Sequence, residues 1–78
     1  MSIVRQAESY LERLLDGEQV RDLTAVGRDD LMLNCLRTCW GWLHKTDSIK
    51  LSFIFSSLAV VSRHRTLGVV KLMAALPE

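Results

Sequence analysis

Residues 29–45 have the sequence DDLMLNCLRTCWGWLHK, and this stretch decides the fold. Asp29 and Asp30 suit the first turn of a helix, where carboxylates meet free amide groups and the positive end of the helix dipole. At about 100° per residue, the polar side chains of this helix cover only about 100° of its circumference. The helix is therefore predicted to be apolar around more than half of its circumference, so that it needs cover on more than one side.

Two tryptophans divide the apolar surface of this helix. Trp40 and Trp42 are two residues apart, which places their side chains about 200° apart around the helix axis. Trp40 shares its side with three leucines at the spacing of a core-facing stripe, whereas Trp42 lies on the opposite flank. We therefore expect Trp40 to face the core and the opposite flank to contact another chain. The predicted contact residues on that flank are Leu31, Cys35 and Trp42.

Helical patterns also flank residues 29–45. Residues 3–16 place their apolar side chains within about 140° of a helical wheel, and Gly17 is the expected stop. Residues 18–27 predict a loop with one helical turn around Val20 and Leu23. Thr46, Asp47 and Ser48 are candidate caps for a third helix to about residue 62, and Thr66 is a candidate cap for a fourth.

The third helix has an alternative as a strand. Ile49, Leu51, Phe53 and Phe55 alternate with other residues, which also fits a strand of β-branched and aromatic side chains. A single strand needs a partner, and residues 69–70 offer only a weak one. Helix is therefore favoured, and because this helix is apolar nearly all round we expect it to be the central, buried one.

These patterns predict an all-α fold in one domain, residues 1–78. The expected architecture is a small bundle of about four helices, at approximately 3–16, 29–45, 48–62 and 66–76. A domain of this size buries about 60% of the surface of its unfolded chain and is only marginally stable.

Composition excludes several classes of protein. The longest largely apolar run, residues 53–61, is interrupted by Ser56 and Ser57 and is too short to span a membrane. Charged residues near the N-terminus do not fit a signal peptide, so a cytoplasmic location is expected, in a bacterium or inside a host cell. The sequence has no phosphate-binding loop and no nucleophile motif, so we expect neither an enzyme nor a cofactor.

Cys35 and Cys39 are one helical turn apart. A disulfide between them would not fit helix geometry. Both thiols could face a metal together with His44, but the set lacks the four ligands and the spacing of a structural zinc site. Buried, reduced thiols are the favoured interpretation, and no metal site is expected.

Charge is unevenly distributed along the chain. Residues 1–30 hold four basic and seven acidic residues, whereas residues 31–78 hold six basic and two acidic ones. Arg63, Arg65 and Lys71 form a basic group at the predicted junction of the third and fourth helices. These side chains could contact phosphate groups or an acidic protein surface.

The function predicted from these features is a non-enzymatic protein–protein interaction module. It would be a small regulator, adaptor or accessory protein, of viral or phage origin in one version, that binds a partner through an apolar helix face. A homodimer is one form of this prediction. The alternative is a nucleic-acid-binding regulator that uses the basic group at Arg63, Arg65 and Lys71.

Overall fold

The first helix, α1, comprises Ile3–Leu15 in the computed structural model, which describes residues 2–61. Ser2 caps it, because its hydroxyl oxygen accepts a hydrogen bond from the Arg5 amide at 3.2 Å. The helix stops where predicted: Gly17 has a φ of 108°, in the left-handed region that glycine adopts without strain. Ala7, Tyr10, Leu11 and Leu14 are its buried residues.

The segment between the first two helices folds back onto α1. The Arg21 amide donates a hydrogen bond of 2.9 Å to the Tyr10 hydroxyl. A 3₁₀ helix follows at Leu23–Val26, in the region for which one helical turn is predicted. Asp22 caps this turn, because its carboxylate accepts hydrogen bonds from both the amide and the hydroxyl of Thr24. Local capping thus gives structure to a segment that has few apolar residues.

The second helix, α2, comprises Asp29–Lys45, and the third, α3, comprises Ile49–Val61. The strand alternative for residues 49–55 is therefore wrong, and the all-α prediction is confirmed. Three α-helices lie within residues 2–61, and the predicted fourth helix at 66–76 lies outside the described residues.

The helix α2 lies at the centre of the described fold. It packs against both α1 and α3, whereas α1 and α3 contact each other much less. The expectation that α3 is the central, buried helix is therefore wrong. Two neighbouring helices explain why α2 is apolar around so much of its surface. Its buried residues follow the i, i+3, i+4, i+7 spacing and are Met32, Cys35, Leu36 and Cys39.

Gly41 lies within α2, and a β-carbon added at this position would have no neighbouring heavy atom within 4 Å. Glycine in a helix interior costs about 0.5–1 kcal/mol relative to alanine, because its backbone loses more freedom on folding. We therefore expect Gly41→Ala to raise the free energy of unfolding by roughly that amount. Denaturant titration would measure the gain, and a loss of stability would show that the site has less room than the structure gives it.

Candidate functional site

One of the three predicted contact residues of α2 lies in the core, and the other two lie at its edge. Cys35 is completely buried, so the prediction that it contacts a partner is wrong. Leu31 and Trp42 are only partly exposed and pack against the buried cluster. The physical reason is that α2 packs against two helices of its own chain, α1 and α3, which use much of its apolar surface.

Trp40 occupies a different environment from the one expected. It is also partly exposed, and its ring packs on Phe55 of α3 at 5.4 Å between ring centroids. The His44 ring meets it edge-on at 5.0 Å, one turn further along α2. Trp40 therefore lies on the seam between α2 and α3 instead of in the buried cluster, while Trp42 borders that cluster.

The two cysteines are free thiols inside the core. Burial raises the pKa of Cys35 from 9.0 to about 12 and that of Cys39 to about 11. The Cys39 thiol lies 3.5 Å from the Leu51 carbonyl oxygen and donates to it. Thiols held in the protonated form are poor nucleophiles and poor metal ligands. Across residues 2–61, no three His, Cys, Asp or Glu side chains are grouped so that they could hold a metal ion.

Among the α-helices of residues 2–61, the most exposed large apolar side chains lie on α3. Ile49 is 90% exposed, Phe53 is 72% exposed and Val60 is 55% exposed. At about 100° per residue, these three side chains fall within about 40° of one another around the helix, and we call them the α3 face. The opposite side of the helix holds its buried residues, which are Leu51, Ile54 and Leu58.

The surroundings of the α3 face carry little charge. Ser52 and Ser56 are exposed beside it, and Lys50 is the single charged residue of α3. Most surface helices place charged side chains opposite their buried side. Here that position is apolar, so α3 has two apolar sides and the described part of the chain covers only one of them.

A groove adjoins the α3 face. Its volume is about 440 Å³, and Phe53 contributes to both features. Apolar walls come from α1, from the segment that follows it and from α3, through Leu14, Val20 and Ile54. Glu18 and Lys50 supply opposite charges at its lining. A cavity of this volume is large enough to receive an apolar side chain from another segment.

The sequence predicts neither the exposure of Ile49 nor the groove, although it does contain a signal for the α3 face. A helical wheel of α3 places Phe53 and Val60 on a different side from the buried residues, but the sequence does not show which of the two apolar sides is covered.

The basic group of Arg63, Arg65 and Lys71 lies outside the described residues. No helix within residues 2–61 is both long and apolar enough to cross a membrane.

Comparisons with family models, with curated proteins and with solved structures gave no match to this chain.

Proposed function

We propose that this protein is a non-enzymatic interaction module that binds a partner protein through the α3 face. The observation that carries the proposal is the exposure of Ile49, Phe53 and Val60 on one side of a helix. Burying apolar surface gains about 25 cal/mol per Å², so an exposed apolar face of this kind favours association. In this proposal the protein acts in the cell interior as a regulator, an adaptor or a viral or phage accessory protein.

Phe53 is the proposed anchor of the interface. Large aromatic side chains dominate interface energies when a partner removes them from water. Phe53 also borders the groove, so that a partner side chain in the groove would contact its ring. The low charge around the face indicates binding that depends on apolar contact, with little dependence on salt.

Capture of the partner from a lysate of the native host cell tests the proposal. We expect tagged Phe53→Asp protein to lose the partner by at least about tenfold, because a carboxylate would have to be buried unpaired in the interface. Val26→Asp is the matched control, since Val26 is 74% exposed, lies on the 3₁₀ helix and does not line the groove. It should retain the partner at the wild-type level.

The outcomes of this experiment separate the candidate functions. A partner held by wild type and by Val26→Asp, but not by Phe53→Asp, supports the proposal if it also withstands high salt. Equal retention by both variants would exclude the α3 face. Captured nucleic acid that is released by salt would instead favour the regulator that uses Arg63, Arg65 and Lys71. A thermal midpoint that rises with protein concentration would identify a second copy of the chain as the partner.

A further inference from the structure

The groove beside the α3 face is lined by one acidic and one basic side chain from different walls. Glu18 belongs to the segment that follows α1, and Lys50 belongs to α3. These two side chains do not pair with each other. Within residues 2–61 Lys50 forms no ion pair, and the Glu18 carboxylate has a long, exposed contact of 3.9 Å with the Arg13 guanidinium. Both charges are therefore accessible to groups of another molecule.

An acid and a base that line one groove are complementary to themselves under two-fold rotation. A two-fold axis that passes midway between Glu18 and Lys50 places each of them against the opposite charge of a second copy, so that one rotation forms two ion pairs. A partner of different sequence would have to supply a base and an acid at matching positions. The charges of the groove thus favour a second copy of the chain over an unrelated protein.

The apolar contacts of the groove agree with the same axis. Phe53 is 72% exposed and belongs both to the α3 face and to the lining of the groove. When two copies pair across their grooves, each Phe53 ring meets the groove of the other copy, where Leu14, Val20 and Ile54 supply apolar walls. A groove of about 440 Å³ is large enough to receive such a side chain. Both rings are then removed from water in one symmetric interface, which favours association.

We propose that the partner of the α3 face is a second copy of this chain, bound about a two-fold axis through the groove. Glu18 of each copy lies against Lys50 of the other. The inference rests on the proposed function, because it names the partner of the same face. Contacts of Phe53 supply most of the affinity, and the two ion pairs set the alignment, since exposed ion pairs add little affinity but disfavour wrong alignments.

Sedimentation of charge-inverted chains tests this pairing. We expect wild type to dimerise, and Glu18→Lys or Lys50→Glu alone to weaken the dimer at least about tenfold, because either change turns both ion pairs into like-charge contacts. A mixture of the two variants should form a heterodimer, since one copy then carries two bases at the groove and the other two acids. The double variant Glu18→Lys, Lys50→Glu should dimerise like wild type, because the exchanged charges pair again.

Glu12→Lys is the matched control for the change in charge. Glu12 is exposed on α1 and does not line the groove, so this variant should dimerise like wild type. A strictly monomeric wild type at millimolar concentration would overturn the proposal, and so would a dimer that the single variants leave intact. Single variants that dissociate and do not recover on mixing would contradict the two-fold pairing.

Phe53→Asp separates this inference from the proposed function. It should dissociate the dimer, because its carboxylates would have to be buried unpaired in the interface. A monomeric wild type that captures a host protein, and loses it as Phe53→Asp, would exclude the second copy as partner and leave the binding proposal standing. A wild type that neither dimerises nor captures a protein would overturn both.

Discussion

Trp42→Ala is expected to lower the free energy of unfolding by about 3 kcal/mol, close to the whole stability of so small a domain. Trp42 packs against the buried cluster, so its removal leaves a cavity beside residues that cannot collapse into it. Trp40→Ala is expected to cost only about 1–2 kcal/mol, because Trp40 packs at the seam on Phe55 and on His44, which is exposed.

Thermal and denaturant unfolding of the two variants measures the difference. Leu36→Ala is a useful reference, since Leu36 is completely buried at the centre of α2 and should unfold the domain. The helical pattern of the sequence predicts the opposite order, with Trp40 in the core. If Trp40→Ala unfolds the protein while Trp42→Ala is tolerated, Trp40 lies in the core as the helical pattern predicts. Trp42 would then again be the predicted partner contact.

Local chemistry made most of the helix positions predictable. Asp29 and Asp30 mark the start of α2, and Gly17 ends the first helix within a residue of its predicted end. Each of these signals depends on backbone amides or a backbone angle within a few residues. The choice of helix over strand for residues 49–55 also followed from the chain itself, because a strand would have had no partner.

The packing around α2 could not be predicted in the same way. Its apolar side chains show that more than one side is covered, but not whether the second cover is another chain or another helix of this one. In the described fold α2 packs against both α1 and α3, while Leu31 and Trp42 stay partly exposed. Large apolar side chains that stay exposed are found on α3 instead, among them Ile49 and Phe53.

The groove could not be predicted from the sequence either, because residues far apart along the chain form it. Leu14 and Val20 meet Ile54 there, across more than thirty positions of sequence. The Tyr10 hydroxyl that accepts a hydrogen bond from Arg21 helps to hold the connecting segment in position. Such a contact depends on the path of the loop, for which the sequence predicts only one helical turn.

Cys35 and Cys39 are expected to resist thiol reagents in the folded protein, and this is the second large effect. Both side chains are completely buried, so a reagent reaches them only when the core opens. For a domain stable by roughly 3–5 kcal/mol, modification should be about a hundredfold to several thousandfold slower than in denaturant. Ser52→Cys in a chain that lacks both native cysteines is the matched control and should react at once, since Ser52 is exposed.

Because both thiols are buried, the stability of the fold decreases at alkaline pH. In the unfolded chain the thiols ionise near pH 9.0, whereas in the folded protein the pKa of Cys39 is about 11 and that of Cys35 about 12. Their contribution is therefore fully present below about pH 9 and is lost as the pH rises toward these folded values. Each thiol adds at most about 1.4 kcal/mol per pH unit to the slope.

Removing both thiols isolates this effect from other groups that titrate at high pH. The double variant Cys35→Ala, Cys39→Ala should fold at a modest cost in stability, because each change removes one sulfur from the core and no crosslink. Its stability should fall less steeply above pH 9 than that of wild type. Equal slopes, or fast modification of the native thiols, would mean that α2 and α3 separate readily at Cys39. Stoichiometric zinc in the purified protein would instead show that the thiols are metal ligands.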